Sequence, residues 1–265
     1  MPENPKYYVK LFIASLSSIF IILFSWNNFY KIGCFSLLFP LLVLIVISFS
    51  YIDKKMNERI CFKNCYFKEN SKFSKILSSR SFVSFVYFIL SIVLTLSIMY
   101  GAIGFVTLLW WYLVIHIILV IFIYRNVIKL LQNTIQASYL DIFAREWTIT
   151  LSSILLFLVY IYVFTSGYEP EYLGETLSIT MQNASNSVSS ECFYIDYILR
   201  IKMEIDSTFW WITVKSSENL ANSEAKSVIW ISFIVINSLA ILGINRFIVQ
   251  SVYLIDKLFR RENEK

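Results

Sequence analysis

The sequence predicts an all-α membrane protein of six transmembrane helices with both termini cytoplasmic, and three observations carry that expectation. First, the 265-residue chain is 57% hydrophobic and only 15% charged, against roughly 25% charged in soluble domains. Second, it contains six apolar runs, Val9–Trp26, Ile32–Tyr51, Ser81–Tyr100, Phe105–Tyr124, Trp147–Thr165 and Val228–Phe247. Each approaches the ~20 residues that a helix needs to cross a bilayer. Third, the basic residues alternate between the connecting segments. With six spans and a cytoplasmic N-terminus, the inner segments hold 18 of the 23 Lys and Arg, and only Lys31, Arg200, Lys202, Lys215 and Lys226 fall outside. That is the bias expected of cytoplasmic loops.

Taken in order, the first two runs are joined only by Asn27–Lys31 and the third and fourth only by Gly101–Gly104. Each pair is a helical hairpin or one long tilted helix, and the charge pattern favours hairpins. The first run is too long for a cleavable signal peptide and no small-residue cleavage site follows it. Asp53–Arg80 carries eight Lys and Arg and reads as a positive-inside loop rather than a nucleic-acid surface. Arg125–Glu146 is polar with Ile128, Leu131, Ile135, Leu140 and Phe143 at helical intervals, suiting an amphipathic helix on the inner membrane face or a plain helix-loop. The long outer loop, 166–227, holds nine of the 18 acidic residues. Within it Ile195–Asp206 alternates apolar and polar residues, which suits a half-buried strand; a surface helix presenting Tyr194, Ile198, Ile201 and Ile205 is the other option. The domain expectation is a four-helix bundle at 1–124, the linker at 125–146, a second membrane module at 147–255 and a charged tail at 256–265.

The interiors of the spans hold no Asp, Glu, Lys or Arg. Intramembrane charge marks proton relays, ion pathways and voltage sensors, so its absence argues against proton-coupled transport and strong voltage dependence. His116, in the fourth run, is expected to hydrogen-bond a neighbouring helix rather than to accept a proton in function, and Asn237 and Asn245 in the sixth are candidates for helix–helix contacts, the commoner case, or for a pore lining. One histidine and four cysteines, with Cys34 placed in a span and Cys192 alone in the outer loop, give no metal site and no expected disulfide. No nucleophile–base pair and no glycine-rich phosphate loop is present, so neither an enzyme nor a cofactor is expected. Asn183-Ala-Ser185 has the form of a glycosylation acceptor.

Leu131-Gln-Asn-Thr134-Ile135-Gln-Ala137-Ser138, the aromatic triplet Phe209-Trp210-Trp211 and Gly243 in the last span occur in that order. Together they resemble the linker, pore helix and hinge-bearing inner helix of the six-transmembrane tetrameric cation channel superfamily, in its potassium-channel-like pore module. The resemblance covers roughly residues 125–255. It implies a re-entrant pore helix packed through Phe209, Trp210 and Trp211, a hinge at Gly243, and a mouth at Thr213, Ser216, Ser217, Glu218 and Asn219. It also implies a homotetramer in the plasma membrane or a bacterial inner membrane.

The usual selectivity filter is missing. A potassium filter aims backbone carbonyls inward through a glycine-bearing loop, whereas no glycine lies between Glu175 and Leu242. Two functions are therefore expected. One is a divergent, non-selective and weakly voltage-dependent cation channel, or a non-conducting descendant of one. The other is a non-channel membrane partner protein that acts through its outer loop or its spans.

Overall fold

The computed structural model describes residues 5–66, 80–105, 107–165, 169–216 and 223–263, and these are helical almost throughout, with no strand among them. The helices are α1 (Pro5–Phe29), α2 (Leu38–Tyr66), α3 (Arg80–Ile103), α4 (Thr107–Leu131), α5 (Ala137–Thr165), α6 (Leu177–Ser187), α7 (Phe193–Trp211) and α8 (Ser223–Asn263). A 3-10 turn, Cys34–Leu37, leads into α2, and a π turn, Ile212–Ser216, closes α7. Five of the helical segments, Pro5–Phe29, Cys34–Arg59, Ser81–Ile103, Thr107–Leu131 and Tyr139–Tyr162, are long and apolar enough to cross a membrane. The sixth expected run lies within the 41-residue α8.

Each short link breaks the chain into two separate helices. A turn separates α1 from α2, and a break near Gly104 and Phe105 separates α3 from α4. The linker is different. Residues 125–131 extend α4 and residues 137–146 open α5, with the chain turning between them. Four of its five apolar positions are thus drawn into the two long helices, with Ile128 in the core and Ile135 in the turn, and no separate surface helix forms.

The bundle is arranged around its last helix, since α8 packs against α1, α2, α3, α4 and α5. From Gly243 to Tyr253 every residue of α8 is buried within this one chain. Phe247 and Ile248 reach complete burial and join a core that also takes Leu23 from α1, Val43 and Ile47 from α2 and Ile98 from α3. Residues from both sides of position 125 thus contribute to one core. Gly243 sits where α8 meets α3. A Cβ built there lies 3.2 Å from Ile98 Cγ1 and 3.4 Å from the Leu94 carbonyl, so the absent side chain lets two helices approach closely.

Over one end of the bundle α6 and α7 pair as a cap. Ile195–Asp206, read from its alternation as a strand, is helix. The alternation comes from two rows of four-residue spacing offset by two. Ile195, Leu199 and Met203 face the core, while Tyr197, Ile201 and Ile205 are exposed. Two interleaved helical rows of that kind reproduce a period of two, although each follows the helical repeat.

Candidate functional site

Three polar constellations hold the bundle. The first is at the end opposite the cap, where ionised groups from α2, α5 and α8 converge. Arg246 donates to both carboxylate oxygens of Glu146, at 2.9 and 3.0 Å, and to Ser50 Oγ at 3.3 Å. Lys54 Nζ reaches the same carboxylate at 2.6 Å, and the Arg246 guanidinium lies 4.0 Å from the Tyr51 ring centroid. Beside it Arg145 donates to Gln250 Oε1 at 2.9 Å and to the Asp53 carboxylate, and stacks on Tyr253. Each buried guanidinium thus has a carboxylate, a neutral acceptor and an aromatic face, which suits its planar fork of donors.

The second constellation is uncharged and lies inside the bundle. Asn245 of α8 donates from Nδ2 to the Ile149 carbonyl at 2.8 Å and to Ser153 Oγ at 2.7 Å. Its Oδ1 sits 2.9 Å from His116 Nε2 and 3.0 Å from Ser152 Oγ. Tyr112 Oη approaches the other ring nitrogen of His116 at 3.4 Å. Helices α4, α5 and α8 meet at this point. The helix–helix contacts expected of His116 and Asn245 are those the structure shows; the Asn237 side chain lies outside the described residues.

The third constellation ties down the cap. Cys192, at the start of α7, is disulfide-bonded to Cys34, just ahead of α2. This corrects the expectation that Cys192 lacks a partner: the helical run of α2 begins beyond Cys34, leaving the thiol at the end of the bundle rather than inside a span. Adjacent to it, Ser190 Oγ donates to the Tyr30 carbonyl at 2.6 Å and Glu191 N to the Lys31 carbonyl at 3.0 Å. One helical turn on, Asp196 accepts from Arg200 at 2.7 Å and from the Ser190 backbone N–H at 3.0 Å. The hydrogen bond from Arg200 in particular holds the Asp196 carboxyl below the usual carboxylate range. Further along, Tyr100 Oη of α3 donates to Asp206 Oδ2 at 2.9 Å, and Lys202 reaches Asp206 Oδ1 at 3.2 Å while lying over the Tyr100 ring.

At the C-terminal end of α7, Trp210 packs edge-on against Phe233 of α8, ring centroids 4.9 Å apart. Val214 joins the pair, with Tyr160, Tyr172, Leu173 and Trp230 around them. Phe209 is half exposed and Trp211 lies between. Thr213 is buried and its hydroxyl is spent on the Phe209 carbonyl at 2.7 Å. Ser216 ends the π turn, and Ser217, Glu218 and Asn219 lie outside the described residues. The aromatic triplet and the last helix are thus brought together, through Trp210.

Among known proteins, no family model, no characterised protein and no solved structure matches this chain. Its chemistry is therefore read from its own side chains. Among the described residues, no three His, Cys, Asp or Glu gather where a metal ion would sit. The buried polar groups named above are engaged with one another across helices, an arrangement that fixes helix positions. The residues missed from sequence are the paired charges, Arg145 with Asp53 and Arg246 with Glu146 and Lys54. The signal was the placement of Arg145, Glu146 and Arg246 at the very ends of apolar runs, where they pass for membrane anchors.

Proposed function

We propose that this chain is an integral membrane protein that works by binding another protein, and that it does not conduct ions. The reading includes six spans, with α8 supplying the sixth, both termini cytoplasmic, and the α6–α7 cap on the outer side. The observation that carries it is the burial of Gly243–Tyr253, the inner part of α8, within a single chain, while Val228, Ile231 and Leu242 further out are exposed. A helix that lines a pore between four copies needs one face open to the axis, and this stretch of α8 has none. Support for the orientation comes from the Cys34–Cys192 bond, because disulfides persist in oxidising compartments outside the cytoplasm. It comes too from the ion-pair network at the opposite end, where the positive-inside rule puts the basic residues.

The water-facing surface of such a protein is the cap. Its shorter helix exposes Gln182, Asn183 and Asn186, neutral amides able to donate and accept hydrogen bonds. A photo-reactive residue at Gln182 should give one discrete cross-linked adduct in the native membrane. A purified protein that is monomeric in detergent should accompany it. A tetramer, or no adduct from any of the three amide positions, would overturn the reading.

A divergent cation channel is the second reading, favoured by one contact. Trp210 closes a helix directly before the last span and packs on Phe233 of that span, as a supporting pore helix would. Under that reading the chain is a homotetramer and Glu218 lies at the mouth.

A further inference from the structure

We infer that α7 is an interfacial helix, seated along one flank in the outer leaflet of the bilayer. The inference depends on the membrane reading above but not on the choice between partner protein and channel. It starts from a row that packing inside the chain leaves uncovered. Tyr194, Ile198, Ile201, Ile205 and Phe209 recur at four- and three-residue intervals along α7, and Ile212 continues the row into the π turn. All six are exposed, from 37% at Phe209 to 66% at Tyr194. No charged residue falls within the row. The core-facing row, Ile195, Leu199, Met203 and Trp210, is a separate set, and the charged row Asp196, Arg200 and Glu204 occupies the remaining side. Three faces, one for protein, one for water and one apolar, form the pattern of a helix lying in a membrane interface.

Depth decides the occupant. Three anchors fix α7 along its length, and each is at the end of a candidate span. Its start is bonded to Cys34, the first residue of the apolar segment Cys34–Arg59. Its middle is held by Tyr100, in the last turn of Ser81–Ile103. Its end packs through Trp210 into a cluster with Tyr160, in the last turn of Tyr139–Tyr162. A 19-residue helix is about 28 Å long at 1.5 Å per residue, so α7 runs across the span ends and does not project into water. It lies at the boundary between headgroups and acyl chains, where an apolar flank meets lipid. Beside the disulfide Phe29, Ile32, Phe35 and Leu38 are exposed as well, with Asn28, Lys31 and Glu191 among them at the water-facing edge. The row thus continues the lipid-facing exterior of α1 and α2. Phe193 and Tyr197, stacked on each other at the same end, supply the aromatic character typical of that depth.

Single spin labels test this. In a Cys61→Ser/Cys65→Ser background with the disulfide intact, labels are placed separately at Ile198, Ile201 and Ile205 and, for the charged side, at Glu204. A fifth label at Ile115, exposed on α4, reports whether the bundle is in the bilayer at all. In liposomes, power saturation with oxygen and with a water-soluble nickel chelate should give the three row positions an oxygen-to-nickel accessibility ratio severalfold above that of Glu204. Row labels that favour nickel would place the flank in water. Row labels shielded from both reagents would place it against a second copy or another protein. Either result overturns the inference. A label at Ile115 that favours nickel would instead remove the membrane reading itself. The row positions are read independently, so loss of one variant to misfolding leaves the others to decide.

Discussion

Arg246 of α8 and Glu146 of α5 form a two-pronged ion pair, at 2.9 and 3.0 Å, on helices that begin and end far apart in sequence. Lys54 closes on the same carboxylate. The pair fixes the rotation of α8 inside the bundle, because its fork admits one geometry. Removing one partner of a buried pair strands the other charge and typically costs about 3–5 kcal/mol, while replacing both with apolar groups is often neutral. Because Lys54 still pairs with Glu146, Arg246→Met should destabilise the protein in detergent by less than that, about 1–3 kcal/mol. Arg246→Met/Glu146→Leu should recover most of the loss. Equilibrium unfolding of the two single variants and the double variant checks it, and simple additivity would show that the pair is not coupled.

Asn245 is the uncharged counterpart. Its amide serves Ile149, Ser153, Ser152 and His116 together. Interhelical hydrogen bonds inside membranes average roughly 0.6 kcal/mol and reach about 1.7. Asn245→Leu should accordingly lose about 1–2 kcal/mol. His116→Ala should lose less, since it removes one of Asn245's partners and leaves the others. Thermal denaturation of both variants in the same detergent gives the order.

Much of this arrangement was legible in the sequence, and the rest was hidden for identifiable reasons. Six apolar runs with alternating basic loops gave the long helices, and isolated polar residues such as His116 and Asn245 announced helix contacts. The cap was misread because α7 is apolar on two flanks. Rows through Ile195 and through Ile201, each with a helical repeat, interleave into the alternation of a strand. The Cys34–Cys192 bond was hidden because hydropathy alone extends the second run through Cys34. Least legible was the enclosure of α8. Asn245, Arg246, Gln250 and Ser251 are polar, and polarity on a last span suggests a water-filled pore. Here Asn245, Arg246 and Gln250 each meet a polar group from a neighbouring helix.

The disulfide makes the cap a testable unit. Linking residues 158 apart in sequence constrains the unfolded chain, and loss of such a bond in a folded domain costs typically 2–4 kcal/mol. Cys34→Ser should lower the melting point by a corresponding amount. It should also leave Cys192, which is buried, as a free thiol that a maleimide labels once the protein is unfolded in denaturant. In the unreduced wild-type protein neither residue should react.

Gly243 separates two accounts of the same glycine. If it serves the approach of α8 to α3, Gly243→Ala should destabilise by about 1–3 kcal/mol through overpacking. Trimming the neighbour in Gly243→Ala/Ile98→Ala, which removes the Cγ1 nearest the added methyl, should then cost less than the sum of the two single changes. If Gly243 serves bending, the two costs should simply add.

Gly243–Tyr253 of α8 is enclosed by its own chain, and planar-bilayer recording of the purified, reconstituted protein is the measurement on which the non-conducting reading turns. The expected result is no unitary conductance in sodium or potassium, at any voltage, above that of protein-free bilayers. A reproducible cation conductance that changes in Glu218→Ala would contradict it, and would make this chain a channel whose pore opens where the bundle now closes.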